Sequence, residues 1–194
     1  MMNTVRDVFN RLTKWFTGRI PGTQNILAVY AVIVTMIYSW TLITSFYKLP
    51  SWLFYLTVGQ ILSMYAYFFL ANLLESLIVL AGVLLLDFTI FAPLKNRQEF
   101  QARSIVVVLI VLSSSMARLL LFKSFEASET FIDGELTWWL LTVVIGLFLA
   151  VVLPWNKMIR GFLEGLAERF SIFVYLYIPL SLISIVVVIV RNLN

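Results

Sequence analysis

The chain contains no cysteine and no histidine. Without cysteine there is no disulfide, no thiolate zinc or iron–sulfur site and no thiol nucleophile, and cysteine usage carries no information about redox compartment. Without histidine the commonest haem and transition-metal ligand is missing, together with the usual general base at neutral pH. No metal site, no cofactor and no catalytic residue is expected from such a composition. Charge is also scarce, at 12% of residues, against about 25% in a typical soluble domain.

Apolar side chains fill the space instead. Hydrophobic residues make up 61% of the chain, and 16 Phe, 8 Tyr and 6 Trp supply large contact faces. They gather in six runs, Ile26–Phe46, Trp52–Ala71, Ser76–Ala92, Ile105–Phe122, Trp138–Trp155 and Phe170–Val190. Each is close to the ~20 helical residues that cross a hydrocarbon core. The expected fold is all-α, a polytopic transmembrane bundle of six helices over residues 26–194. The first run is too long for the core of a cleavable signal and reads as a retained signal anchor.

Residues 1–25 form a separate N-terminal segment. Val5, Val8, Phe9, Leu12, Trp15 and Phe16 recur at helical spacing among Arg6, Arg11 and Lys14, so an amphipathic helix lying in the membrane interface is expected there. Residues 156–169 repeat the pattern: Phe162 and Leu163 belong to an apolar face and Arg160 and Glu164 are spaced to pair along a helix. The net charge of +4 comes from Lys and Arg flanking the apolar runs, which suits anionic lipid headgroups and not nucleic acid.

The boundaries between runs are read from breakers. Pro50 closes the first run and Pro93 the third, while Pro179 should kink the last. Trp52–Ala92 is almost continuous, and one helix of that length measures about 60 Å, twice the hydrocarbon thickness. Asn72-Leu73-Leu74-Glu75 is its most polar point and the expected site of a tight hairpin. Charge argues differently. Six crossings divide the 14 Lys and Arg residues evenly between the two faces. Five crossings, with Ser76–Ala92 re-entering at Gly82, divide them ten to four and place the N-terminus in the cytoplasm. Six crossings with a cytoplasmic N-terminus is the expectation, with five plus a re-entrant segment as the alternative.

Ionisable groups within spans are functional candidates. Glu75, Asp87 and Arg118 are the three, with Lys123 at a depth where it can reach Glu75 and with Lys95 or Arg97 near Asp87. Three readings remain open for them: inter-helix ion pairs, an ion or proton path, and anchorage of a partner subunit. Gln60 and Asn72 are expected to bond between helices. Ser113, Ser114 and Ser115 offer close packing, as do the small-xxx-small pairs Gly59/Ser63 and Gly146/Ala150. The acidic loop before the fifth run lacks the alternate ligand spacing of a calcium loop. Glycine-rich phosphate loops, zinc-protease motifs and hydrolase elbows are absent from the sequence. These features point to a non-enzymatic accessory or scaffold subunit packed against lipid and other membrane proteins. A small transporter or channel component and a lipid-modifying enzyme are the alternatives.

Overall fold

The structure, a computed structural model, describes residues 21–91, 99–121 and 129–193. Every described element is helical. Helix α1 is Thr23–Tyr55. Helix α2 is Val58–Leu86 and runs on into a π-helical turn, Asp87–Phe91. Helix α3 is Phe100–Leu121, and α4 is Glu129–Val152, prolonged by a 3-10 turn at Leu153–Trp155. Helix α5 is Lys157–Leu193. Among the described residues, five stretches are long and apolar enough to cross a membrane: Thr23–Tyr55, Val58–Phe91, Phe100–Leu121, Gly134–Trp155 and Lys157–Leu193. By length and composition this is an integral membrane protein.

Among the described residues the sixth span expected from the sequence is not found, because the chain does not turn at Asn72–Glu75. All four of those residues lie inside α2. The turn comes earlier, at Leu56 and Thr57, where both backbones are extended. Thr57 accepts the Gln60 amide at 3.4 Å while Gln60 Oε1 accepts the Thr57 amide at 2.8 Å, a reciprocal cap that satisfies two donors at the start of α2. Pro50 does not end α1 either. Its missing N–H forfeits one bond near the end of the helix, and the Trp52 carbonyl still accepts the Leu56 amide at 2.8 Å. Trp52–Tyr55 therefore complete α1. The remaining 34 residues of Val58–Phe91 span about 51 Å as a single rod, enough to cross once with both ends beyond the hydrocarbon.

The amphipathic stretch before the last span is also continuous with it. Lys157 to Arg169 form the first turns of the 37-residue α5, about 55 Å long. Asn156 makes the break from α4: its backbone is extended, and its side-chain carbonyl accepts the Met158 amide at 2.9 Å. The N-terminal helix expected over residues 3–16 lies outside the described residues.

Helix α1 forms the core. Val29, Tyr30, Ala31, Val32, Ile33 and Val34 are all buried in succession, which no single helix face can achieve. Neighbours must surround α1, and they do: α5, α2 and α3 all pack on it, while α4 leans mainly on α3. Helices α1 and α2 run antiparallel, with Thr41 opposite Asn72 and Ser45 opposite Tyr65. Helix α5 lies parallel to α1 in space. Tyr38 stacks on Tyr177 with ring centroids 4.7 Å apart, and Tyr177 stacks in turn on Phe173. This register carries the start of α5 about 10 Å beyond the start of α1, at 1.5 Å per residue.

Candidate functional site

The hydrogen bonds that join helices come from hydroxyl and amide groups. Tyr38 Oη lies 2.7 Å from Ser181 Oγ, and Tyr30 Oη lies 3.3 Å from Ser76 Oγ. Buried Asn72 accepts the Thr41 hydroxyl at 3.0 Å, so it bonds between helices. Gln60 does not: it caps its own helix from an exposed position. Of the three consecutive serines, Ser114 alone joins helices, lying 2.7 Å from Thr142 Oγ1 and accepting the Trp138 indole N–H at 2.9 Å. Ser115 lines a cleft and Ser113 is exposed.

The small-residue pairs separate in the same way. Gly146 and Ala150 are buried on α4, and a Cβ at Gly146 would stand 3.6 Å from Ile110 Cγ2 of α3. Gly59 faces open space, and the Ser63 hydroxyl bonds back to the Gly59 carbonyl at 2.9 Å. Among the described residues, no atom stands within 4 Å of a Cβ at Gly59, so Gly59 is not a close-packing site. In α5, Phe162 is exposed and Leu163 buried. Trp15, Phe16 and Lys123 lie outside the described residues.

The charges form two internal systems among the described residues; Lys95 and Arg97, the expected mates of Asp87, lie outside those residues. Arg118, buried near the end of α3, pairs with Glu135 at the start of the apolar part of α4, and its guanidinium carbon stands 6.0 Å from the Trp138 ring centroid. Similar depth in a hairpin of the third and fourth runs makes Glu75 the expected mate of Arg118, and the depths do match, since Glu75 and Leu119 line one cleft. Arg118 nevertheless turns to the α4 side of α3, where Glu135 and Trp138 stand beside it. At the other end of the bundle, Arg103 pairs with Glu99 one helical turn earlier; both side chains are buried. The Arg103 guanidinium also covers the Phe91 ring at 5.8 Å and acts electrostatically on Asp87, which opens the π-helical turn. Sequence reasoning passed over Arg103. Its position three residues after Phe100, at the mouth of an apolar run, is the available signal.

Glu75 stands apart. It is exposed, and it makes no hydrogen bond or ion pair among the described residues. Close to midway along Val58–Phe91, it is about 25 Å from either end of that stretch. It borders a cleft of about 60 Å³ between α1, α2 and α3, with Ile37, Trp40, Thr41, Leu112, Ser115, Met116 and Leu119. A second cleft of about 160 Å³ lies between α1 and α2 and is lined by Thr41, Thr44, Ser45, Lys48, Trp52 and Phe68. Thr41 borders both. A polar strip thus follows α1 from Lys48 near its end to the level of Glu75.

No family model, curated protein or solved structure matches this chain.

Proposed function

We propose that the chain is a non-enzymatic accessory or scaffold subunit of the membrane, crossing it five times with its N-terminus in the cytoplasm and packing against lipid and other membrane proteins. Five alternating crossings would put ten Lys and Arg residues on the N-terminal side and four on the other, the asymmetry that favours basic loops in the cytoplasm. The observation that carries the subunit reading is the way the embedded charges are spent. Arg118 and Arg103 each turn inward to a carboxylate of the same bundle, which neutralises them in place and leaves them unavailable for substrate. The outer faces are apolar by contrast. Leu62, Ile78, Val144, Phe148, Ile183 and Val186, from α2, α4 and α5, are all exposed, and surfaces of that kind suit lipid or the helices of a neighbour.

The test is assembly measured beside flux. The full chain, extracted in mild detergent from its native membrane, is expected to hold a second membrane protein in fixed ratio. The purified chain alone in vesicles is expected to pass neither protons nor small ions. Flux from the isolated chain would overturn the reading. A transporter or channel component is the second reading, favoured by one observation: Glu75 has no partner among the described residues and opens on a cleft that shares Thr41 with a second.

A further inference from the structure

An ionised carboxylate facing hydrocarbon at mid-span is costly. Proteins retain such a group where something meets it. Glu75 has nothing to meet within the described bundle. Its surroundings are nonetheless shaped. Helices α2 and α3 both lean on α1 and touch each other only sparingly, so a groove opens between them with Ile37, Trp40 and Thr41 of α1 as its floor. Leu119, which lines it, is exposed, as are Leu74 and Ile78 beside Glu75 on the outer side of α2.

We propose that this groove seats a transmembrane helix of a partner membrane protein, and that a Lys or Arg at the middle of that helix pairs with Glu75. The inference rests on the accessory-subunit reading and names where on the chain the partner binds. Charge complementarity selects the occupant. Among the described residues Glu75 supplies the one charge in the cleft, Thr41 and Ser115 supply oxygens that can accept from an ammonium or guanidinium, and the Trp40 ring is a surface that attracts cations. Size points the same way. The cleft, about 60 Å³, exceeds the ~10–15 Å³ that one water needs and suits the tip of one basic side chain. The apolar side chains beside it then match the rest of a helix, whose closest contacts in lipid come from packing and interhelical polar bonds. Each partner removes the other's desolvation penalty, so neither charge is stable at that depth without its mate.

The test uses the purified full-length chain in phosphatidylcholine vesicles with synthetic polyleucine transmembrane helices as probes, one carrying a central Lys and one a central Leu, association being read by energy transfer between labels. The Lys helix is expected to associate about tenfold more tightly than the Leu helix, and Glu75→Gln to remove that difference. Glu75→Lys is expected to reverse the preference, binding a helix with a central Glu in place of Lys. The swap guards against a variant that merely misfolds, because a damaged bundle gains no new partner. Equal association of the Lys and Leu helices with the native chain, or an unchanged preference in Glu75→Gln, overturns the proposal. So does a proton flux that vanishes in Glu75→Gln. If the native partner still copurifies with Glu75→Gln in full yield, the subunit reading stands and the groove is not its seat. If the native chain holds no partner at all, the subunit reading fails, and the Lys-helix preference is still scored by itself.

Discussion

The hydroxyls of Tyr38 and Ser181 lie 2.7 Å apart although 143 residues separate them in the chain. Tyr38 is fully buried, and its ring is stacked on Tyr177 and tilted against Phe69. One side chain thus ties α1 to both α2 and α5. Its hydroxyl is the polar end of an aromatic body, and in lipid such a group is stable only with a partner.

Removing that oxygen should therefore loosen the bundle by a modest amount. Tyr38→Phe and Ser181→Ala are each expected to destabilise the protein by about 0.6–2 kcal/mol, the range for interhelical bonds in membranes. The double variant should cost little more than either single one, because both delete the same bond. Tyr38→Ala removes the ring stack as well and should cost about 3–5 kcal/mol. Unfolding by sodium dodecyl sulfate in mixed micelles measures all four. Additive single losses would show that the two hydroxyls do not act as a pair.

Arg118 and Glu135 make a different prediction because they form a salt bridge. Glu135→Gln leaves the buried Arg118 guanidinium short of its carboxylate, and removing one partner of a buried pair costs about 3–5 kcal/mol. Glu135 is partly exposed, so water screens some of that loss and about 2–3 kcal/mol is expected. Arg118→Met with Glu135→Leu removes both charges and should recover most of the stability. Detergent denaturation of the two singles and the double tests the order. A double variant less stable than Glu135→Gln would mean that the pair itself, and not the stranded charge, holds α3 to α4.

The membrane class and the approximate positions of the helices were readable from the apolar runs, since a run of about 20 such residues has few other solutions. What misled was treating polarity inside a run as a break. Asn72 is buried against Thr41, and Glu75 faces a groove; both are tolerated in mid-helix because a neighbour or a cleft receives them. The true turn had a written signal in Thr57-x-x-Gln60, a capping box that Pro50 and the aromatic residues around it overshadowed. Partner choice among the charges was not readable at all. It depends on which face of a helix a charge occupies, and Arg118 lies on the face of α3 that meets Glu135 of α4.

Gly146 and Gly59 have the same spacing to a small residue four positions on, and they should respond oppositely to bulk. Gly146→Ala places a Cβ at ordinary contact distance from Ile110 and should be tolerated. Gly146→Leu must push α4 off α3, at about 1–3 kcal/mol for overpacking. Gly59→Leu enters open space and should change stability by no more than about 0.5 kcal/mol. Melting of the detergent-solubilised variants reads the contrast. A Gly59→Leu loss as large as that of Gly146→Leu would mean that an unseen partner covers the start of α2.

The absence of cysteine turns crossing number into a direct measurement, because any introduced thiol is the only one in the chain. Gln24, Ser51 and Lys157 are exposed positions near the start of α1, the end of α1 and the start of α5. Five alternating crossings put Gln24 and Lys157 on one face of the membrane and Ser51 on the other. Six crossings would separate Gln24 from Lys157, since one more passage lies between them. With a membrane-impermeant maleimide added to intact cells, Ser51→Cys is expected to label, while Gln24→Cys and Lys157→Cys label only after the membrane is opened. The ten basic residues then lie on the cytoplasmic face, as the positive-inside rule requires. Labelling of Lys157→Cys in intact cells, with Gln24→Cys protected, would restore a turn inside α2 and separate Glu75 from the groove it borders.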